Sequence, residues 1–367
     1  MARLTVDLRM YRHSGIGRYL RNLLPPLLPL LHADRIRVLA TEALLAGAPW
    51  LTDPRIELHP VSAPIYSPQE LALPLTSALA ATDLLWVPHF NGPPWYRGAM
   101  AITMHDIGPI AVPQILSSPL KRAYARLLIQ RAISQAAAIL CVSSFTAGEL
   151  MHRLHTPPEK IHLTPPGLDA AWPHTATPHV EADGLPYFLF VGNVKPNKNL
   201  KLLIEAFSSV LNQLPHRLLI VGRISGMGTT DHQVITQAES FGDRVRFVGE
   251  VSDSDLIAHY AGAAAFVFPS LYEGFGLPIL EAMQLGCPVF ASSAASLPEV
   301  AGNAALYFDP HNAASLATAL LAVRDSVRMD QLRLAGRERV SHFSFATCAA
   351  QTAAALNPLL SKSNQIT

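Results

Sequence analysis

The strongest constraint on this chain is a rhythm: short apolar runs alternate with longer segments of helical composition from one end to the other. Apolar runs of roughly 4–8 residues bounded by turn signals fit buried strands, and the stretches between them are long enough for crossover helices. The pattern predicts an α/β protein built on parallel sheets. In the first half, Leu4 to Leu8, Arg35 to Ala40, Leu84 to Val87, Ala101 to Met104 and Ile139 to Val142 read as strands, and Pro119 to Gln135 as a helix. The alternation lapses around residues 172–186, where Pro, Thr and Gly cluster without periodicity as in a linker. It restarts with Tyr187 to Val191, Arg217 to Val221, Val245 to Val248, Ala265 to Phe268 and Pro288 to Ala291. The reading is two Rossmann-like domains facing one another across a cleft, residues 1–183 and 184–343. Residues 344–367 form a last helical stretch expected to pack back on the first domain.

Composition narrows the function classes. A length of 367 residues exceeds what one core usually supports, in keeping with two domains. Only 15% of residues are charged, against about 25% in an average soluble chain. With 28 Lys and Arg facing 27 Asp and Glu, no net field would draw in nucleic acid. No run approaches the roughly 20 apolar residues of a spanning helix; Leu23 to Leu31 is interrupted by Pro25, Pro26 and Pro29. Arg3, Asp7 and Arg9 precede any apolar block, unlike a secretory signal. Cys141, Cys287 and Cys348 lie far apart without CxxC spacing, so neither a disulfide framework nor a zinc site is expected and a reducing cytosol is the simplest home. Peripheral membrane contact stays open through one segment, Lys121 to Arg131, where Arg122 and Arg126 interleave with apolar residues. A buried apolar stripe with a solvated basic face is the simpler account of that segment.

In open parallel sheets, ligands bind beyond the carboxyl ends of the strands, where loops lead into helix N-termini. After the first strand comes Ser14-Gly15-Ile16-Gly17-Arg18-Tyr19. Gly15 and Gly17 let a backbone approach an anion, with Arg12 and Arg18 nearby; a tight strand-to-helix turn explains them as readily. After the strand ending at Met104 comes His105-Asp106, an imidazole able to donate to a sugar hydroxyl with a carboxylate available to fix its tautomer. The second half carries Val191-Gly192-Asn193-Val194-Lys195-Pro196-Asn197-Lys198-Asn199-Leu200, in which lysines at a helix mouth offer positive charge to a diphosphate. The most specific segment is Phe268-Pro269-Ser270-Leu271-Tyr272-Glu273-Gly274-Phe275-Gly276-Leu277-Pro278-Ile279-Leu280-Glu281. Two carboxylates there flank a Gly-x-Gly turn that opens a helix. The amides of Phe275, Gly276 and Leu277 suit a phosphate, Glu281 suits vicinal hydroxyls such as those of a ribose, and Glu273 suits whatever hangs from the phosphate. Asp253-Ser254-Asp255 matches a metal-binding DxD pattern but precedes a helical stretch, where Ser and Asp are preferred caps. His152 and His155 lack a convincing third ligand.

With these residues assembled, the sequence resembles the retaining glycosyltransferases of family 4, which share the two-domain GT-B fold. The resemblance takes in Gly15-Ile16-Gly17, His105-Asp106, Val142-Ser143-Ser144-Phe145-Thr146, Pro166-Gly167-Leu168-Asp169, the Lys198 loop, Val248-Gly249-Glu250-Val251 and the Glu273 to Glu281 signature. It implies a nucleotide diphosphate sugar held mostly by the second domain and a hydroxyl acceptor held by the first. In those terms Lys198 matches the lysine on the donor diphosphate, Glu281 the ribose ligand, Glu273 the carboxylate on the transferred sugar and His105 a histidine near the reacting centre. Base readout is expected through backbone near Val251. Where many members carry Arg after the first glycine of the second domain, this chain has Asn193; where a subgroup has Arg before the lysine, it has Asn197. Lys195 or Arg223 is expected to supply that cation. The wording of these loops is similar to bacterial mannosyltransferases of polysaccharide assembly. That likeness implies GDP-mannose as the preferred donor, with UDP-glucose and other donors open, and a carbohydrate or lipid-linked glycan acceptor; the GT-B resemblance implies no catalytic metal and no cofactor. The same architecture also serves nucleotide-sugar 2-epimerases, and an inactive nucleotide-sugar-binding module is a third reading.

Overall fold

The computed structural model describes residues 1–65, 67–73, 77–113, 118–168, 171–223 and 232–363; Asp169 of the Pro166 motif lies outside them. The chain divides into two compact units. The first comprises Met1–Ile110, Ser118–Asp169 and Phe343–Thr367, and the second Ala170–His342 with Ala111–Ser117.

The first unit carries a seven-stranded sheet in the order β3-β2-β1-β4-β5-β6-β7. Its strands are β1 (Arg3–Asp7), β2 (Arg35–Leu39), β3 (Ile56–His59), β4 (Leu84–Val87), β5 (Met100–Met104), β6 (Ala138–Cys141) and β7 (Ile161–Leu163). All pairings are parallel, in register from Arg3↔Arg35 to Cys141↔Leu163. The central strands β4, β5 and β6 are buried at every residue, which is why they read as unbroken apolar runs. The edge strands β3 and β7 are only partly buried and short, and their mixed composition hides them in the sequence.

One face of this sheet is covered by two helices that meet each other. Leu20, Leu23, Leu24 and Leu27 of the helix Ser14–Leu27 share a core with Ala349, Ala353, Leu356 and Leu360 of the C-terminal helix Phe345–Ser363. Asn357 fastens the pair, accepting from the His32 amide at 2.9 Å and donating to the Leu30 carbonyl at 2.9 Å. Pro25 and Pro26 do not end the first helix as their type suggests; they lie in its last turn, which tightens into a 3-10 turn at Leu28–Leu30.

The second unit holds a six-stranded parallel sheet in the order β10-β9-β8-β11-β12-β13. These are β8 (Tyr187–Val191), β9 (Arg217–Val221), β10 (Val245–Gly249), β11 (Ala265–Phe268), β12 (Val289–Ser292) and β13 (Ala305–Phe308). This is the doubly wound Rossmann order, whose direction reverses between β8 and β11. The segment 172–186 is not a free linker. Trp172 donates its indole N–H to the Glu281 carbonyl at 3.2 Å, and the His179 amide donates to the Ala258 carbonyl at 2.9 Å. Glu181 accepts from Arg217 at 2.7 Å and from Arg246 at 2.6 Å. The division between units therefore falls before Ala170 rather than near residue 184. Composition registered the lack of periodicity, but the single side chains that dock an irregular segment leave no periodic trace.

Gly15 and Gly17 sit in the first turn of the helix Ser14–Leu27 and are not equivalent. A Cβ on Gly17 would lie 2.4 Å from the Tyr11 carbonyl oxygen, whereas one on Gly15 would meet nothing within 4 Å. Gly17 is thus explained by close packing of the helix start on the preceding backbone. Gly17→Ala is expected to cost about 1–3 kcal/mol, and Gly15→Ala, in a helical turn with open space, to leave stability unchanged or raised. Urea unfolding midpoints check this; equal midpoints for the two variants contradict it.

Candidate functional site

Because the second sheet is parallel, every loop at its carboxyl edge lies on one side, and the segments singled out in the second half of the sequence are there. They are Gly192–Asn199 after β8, Gly222–Arg223 after β9, Glu250–Val251 after β10 and Pro269–Gly276 after β11. The first and last flank the point where the strand order reverses. They are joined directly: Lys198 Nζ lies 2.6 Å from Glu273 Oε1, with side-chain exposures of 19% and 16%. The Lys198 ammonium also sits over the Phe268 ring, 5.2 Å from its centroid.

The local sequence explains the placement. The Leu271 amide donates to the Asn197 carbonyl at 2.8 Å, and Asn197 Nδ2 donates to the Tyr272 carbonyl at 3.3 Å, stitching the two loops together. Asn199 adopts a left-handed conformation (φ 55°), which Asn tolerates, and its side-chain Nδ2 donates to the carbonyls of Pro269 and Pro310. Asn193 Oδ1 accepts from the Arg223 amide at 3.2 Å. Asn193 and Asn197 thus shape the loops, and the cations around them are Lys195, Lys198 and Arg223. Lys195 is exposed, and Arg223 is paired with Glu250 at 2.7 Å in an open setting.

Gly276 opens the helix Leu277–Gln284 at φ +112°, where a Cβ would come 2.9 Å from Leu297 Cδ2. A glycine is required there on both counts. The loop after β12, which the sequence reading passed over, braces this turn. Ser296 Oγ donates to the carbonyls of Glu273 (3.0 Å) and Phe275 (2.7 Å), and Ser292 Oγ to that of Ser270 (2.5 Å). The signal available was the run Ser292-Ser293-Ala294-Ala295-Ser296 directly after a strand. Gly274 and Phe275 are buried, and Leu277 is half-buried. Glu281 is only 3% exposed, with Oε2 accepting from the Tyr260 hydroxyl at 3.2 Å; Tyr260, another partner without a sequence signal, orients that carboxylate.

Val251 is half-buried just beyond the positive-φ Gly249. The DxD match is a helix start: Ser252 caps Asp253–Gly262, its Oγ accepting from the Asp255 amide at 3.2 Å. Among the described residues no group of three or more His, Cys, Asp or Glu is placed to hold a metal ion.

In the first unit, His105 follows β5 at the carboxyl edge of its sheet. Its Nε2 lies 3.1 Å from the Pro88 carbonyl, so this nitrogen carries the proton and Nδ1 is left as the acceptor. The Tyr19 ring packs edge-on at 4.9 Å. The partner that sets the tautomer is thus a backbone carbonyl rather than the neighbouring carboxylate, and Asp106 Oδ1 accepts from the Gly108 amide at 2.7 Å. Arg12, considered for anion contact, donates to the carbonyls of Leu44 and Ala46. Burial, with a smaller contribution from His13 against the Pro88 bond, lowers the His105 pKa to about 4. Burial likewise holds His89 at about 3, with smaller contributions from His105, His13 and Arg9.

A folded-state pKa below the ordinary 6.5 means the unfolded chain takes up a proton that the native imidazole refuses. His105 therefore costs stability progressively as pH falls from about 6.5 to about 4. His105→Gln is expected to lose less of its urea midpoint between those limits than the parent chain. An unchanged loss contradicts the assignment.

Comparison with known proteins places this geometry. Residues 13–172 match the family model described as Glycosyltransferase Family 4, and residues 176–338 match that of Glycosyl transferases group 1. The O-antigen chain mannosyltransferase B of Escherichia coli is 31% identical over 282 residues, covering 72% of each chain. Among solved structures, sucrose-phosphate synthase from Thermosynechococcus elongatus superposes with a TM-score of 0.77 at 21% identity, over 99% of this chain and 100% of that one. Anabaena HepE, solved in complex with UDP and glucose, gives 0.73 at 18% identity, over 98% of this chain and 100% of its own. Two parallel Rossmann-like sheets and these matches agree: the chain belongs to glycosyltransferase family 4 and has the GT-B fold.

Proposed function

We propose that this glycosyltransferase moves a hexose, mannose by preference, from a nucleotide diphosphate sugar to a hydroxyl of a glycan or lipid-linked glycan, with retention at the anomeric carbon, in polysaccharide assembly. The observation that carries the donor half is the Lys198–Glu273 pair at the strand-order reversal of the second unit. A diphosphate entering there offers Lys198 a second anionic partner. Glu273 is then released from sole charge of the ammonium and becomes available to the hydroxyls of the transferred sugar. Lys195, Arg223 and the amides at Phe275, Gly276 and Leu277 add donors for phosphate, and Glu281 is the ribose ligand. Pro278 has no amide hydrogen, so it is the lysine and the turn before the helix that meet most of the charge.

In this scheme the leaving diphosphate, stabilised by Lys198 and the turn amides, accepts the acceptor's proton, and no enzymic nucleophile, metal ion or cofactor is called on. In the first unit Gly15 and His105 are the groups that take part, with His105 neutral at physiological pH and thus a hydrogen-bonding group rather than a cation. The first unit takes the acceptor. GDP-mannose is the preferred donor on the likeness to O-antigen mannosyltransferases.

The acceptor reading carries a membrane component on the cytoplasmic side, consistent with Cys141, Cys287 and Cys348 as free thiols. The helix Pro119–Gln135 has four basic residues and no acidic one. Ile129, Ala132 and Ile133 face its core, yet Leu120 (81%) and Leu127 (62%) stand out in solvent beside Lys121 and Arg126. Trp95, 61% exposed, lies under the Arg131 guanidinium at 4.9 Å. Apolar groups projecting among cations suit an anionic lipid surface. No helix among the described residues is long and apolar enough to cross a membrane.

Two outcomes check these proposals. With radiolabelled GDP-mannose and a lipid-linked glycan, label is expected in the acceptor and not in free mannose, and Glu273→Ala should abolish transfer with an unchanged circular dichroism spectrum. Normal turnover in that variant would remove the assignment. The full chain should also sediment with vesicles containing phosphatidylglycerol and not with pure phosphatidylcholine. The double variant Leu120→Gln, Leu127→Gln should weaken that association several-fold, at about 0.8 kcal/mol per buried methylene lost; equal sedimentation contradicts the docking face.

A further inference from the structure

The first unit contains a buried ionic cluster that the donor chemistry does not use. Arg9, just past β1, lies between two carboxylates. Its Nη2 is 2.6 Å from Asp7 Oδ2 and 2.6 Å from Glu70 Oε1, its Nε is 2.9 Å from Asp7 Oδ1, and its Nη1 donates to the Ala63 carbonyl at 3.1 Å. The three side chains are only 3–5% exposed. Burial opposes the Arg9 charge, but Asp7 and Glu70 outweigh it and keep the guanidinium protonated. A buried ion cluster is seldom more stabilising than apolar residues of the same volume. What such a cluster supplies here is geometry.

That geometry runs toward His105. Glu70 uses Oε1 for Arg9 and Oε2 to accept from Asn91 Nδ2. The Asn91 amide in turn donates to His89 Nδ1 at 3.2 Å, which fixes the turn leaving β4. The first residue of that turn is Pro88, whose carbonyl accepts from His105 Nε2. Glu70 comes from the short helix Pro68–Leu71, which precedes β4 in the chain, 21 residues before Asn91.

We infer that Glu70 is a positioning residue for His105: through Asn91 it holds the Pro88–Asn91 turn so that the Pro88 carbonyl keeps the His105 proton on Nε2 and leaves Nδ1 as the acceptor. Asp7 and Arg9 are the rigid base against which Glu70 is set. The inference rests on the proposed role of His105 in transfer only for its effect on rate; the effect on the imidazole stands by itself.

The test uses the full-length chain with 15N-labelled histidine and the variants Glu70→Gln and Asn91→Ala, the second covering the case in which the first fails to fold. Glu70→Gln keeps the shape but gives up the charge that holds Arg9 and Asn91. In either variant the His105 ring nitrogens should lose the Nε2–H pattern, and its titration should move down from about 4, because the Pro88 bond is the contribution that raises it. His13, His89 and Tyr19 are the titratable neighbours of His105; His13, outside the Glu70–Asn91 link, is the histidine whose signal controls for general effects. Turnover should fall on the order of 10-fold to 100-fold, as for about 1 Å of misplacement, with the donor KM unchanged. A purely structural role would lower the melting temperature but leave the His105 signals and turnover as they were, and that result overturns the inference. If the ring signals move while His105→Gln still transfers at the parent rate, positioning stands and the catalytic reading of His105 falls.

Discussion

A parallel sheet cannot be closed by hairpins, and everything else in this molecule follows from that constraint. Each strand must return by a crossover, so all carboxyl ends emerge on one edge and all functional loops gather there. In the second unit this brings Lys198 from the loop after β8 against Glu273 from the loop after β11, 75 residues later, at the one place where crossovers diverge to opposite sides. The Lys198–Glu273 contact is therefore a product of topology as much as of side-chain chemistry.

The loops are held by groups that do not themselves carry charge. Asn197, Asn199, Ser292 and Ser296 each tie a carbonyl of the Pro269–Phe275 segment, so that the acidic signature is fixed from two neighbouring loops. In the first unit the division of labour differs. There a buried guanidinium between two carboxylates sets a turn, and the turn sets a histidine. The two units share a fold plan, yet one presents exposed and half-buried cations at its carboxyl edge while in the other burial keeps His89 and His105 neutral.

Much of this was legible in the sequence, for physical reasons. Central strands such as Leu84–Val87 and Ala265–Phe268 are buried on both faces, so they appear as uninterrupted apolar runs. Glu273, Glu281 and Lys198 were legible because carboxylates and a lysine beside a Gly-x-Gly turn have few structural uses. The edge strands β3, β7 and β13 were not, since partial burial mixes their composition. Segment 172–186 read as a linker because Trp172 and Glu181 anchor it singly, without a repeat. At Gly17 the sequence left a ligand-binding glycine and a tight turn open, and the close approach of the Tyr11 carbonyl accounts for a glycine there by packing. The Glu70–Asn91 link was out of reach, because only the fold brings Glu70 to the end of β4.

Donor binding is proposed to rest on Lys198 at the carboxyl edge of the second unit, where it meets a nucleotide diphosphate. Its most direct test is isothermal titration of the full chain and of Lys198→Met with GDP, UDP, ADP and dTDP. The parent chain should bind GDP most tightly, and Lys198→Met should lose about 10-fold to 100-fold in affinity for it, the worth of one charge-assisted hydrogen bond. Equal affinity of the two proteins for GDP would contradict the proposal.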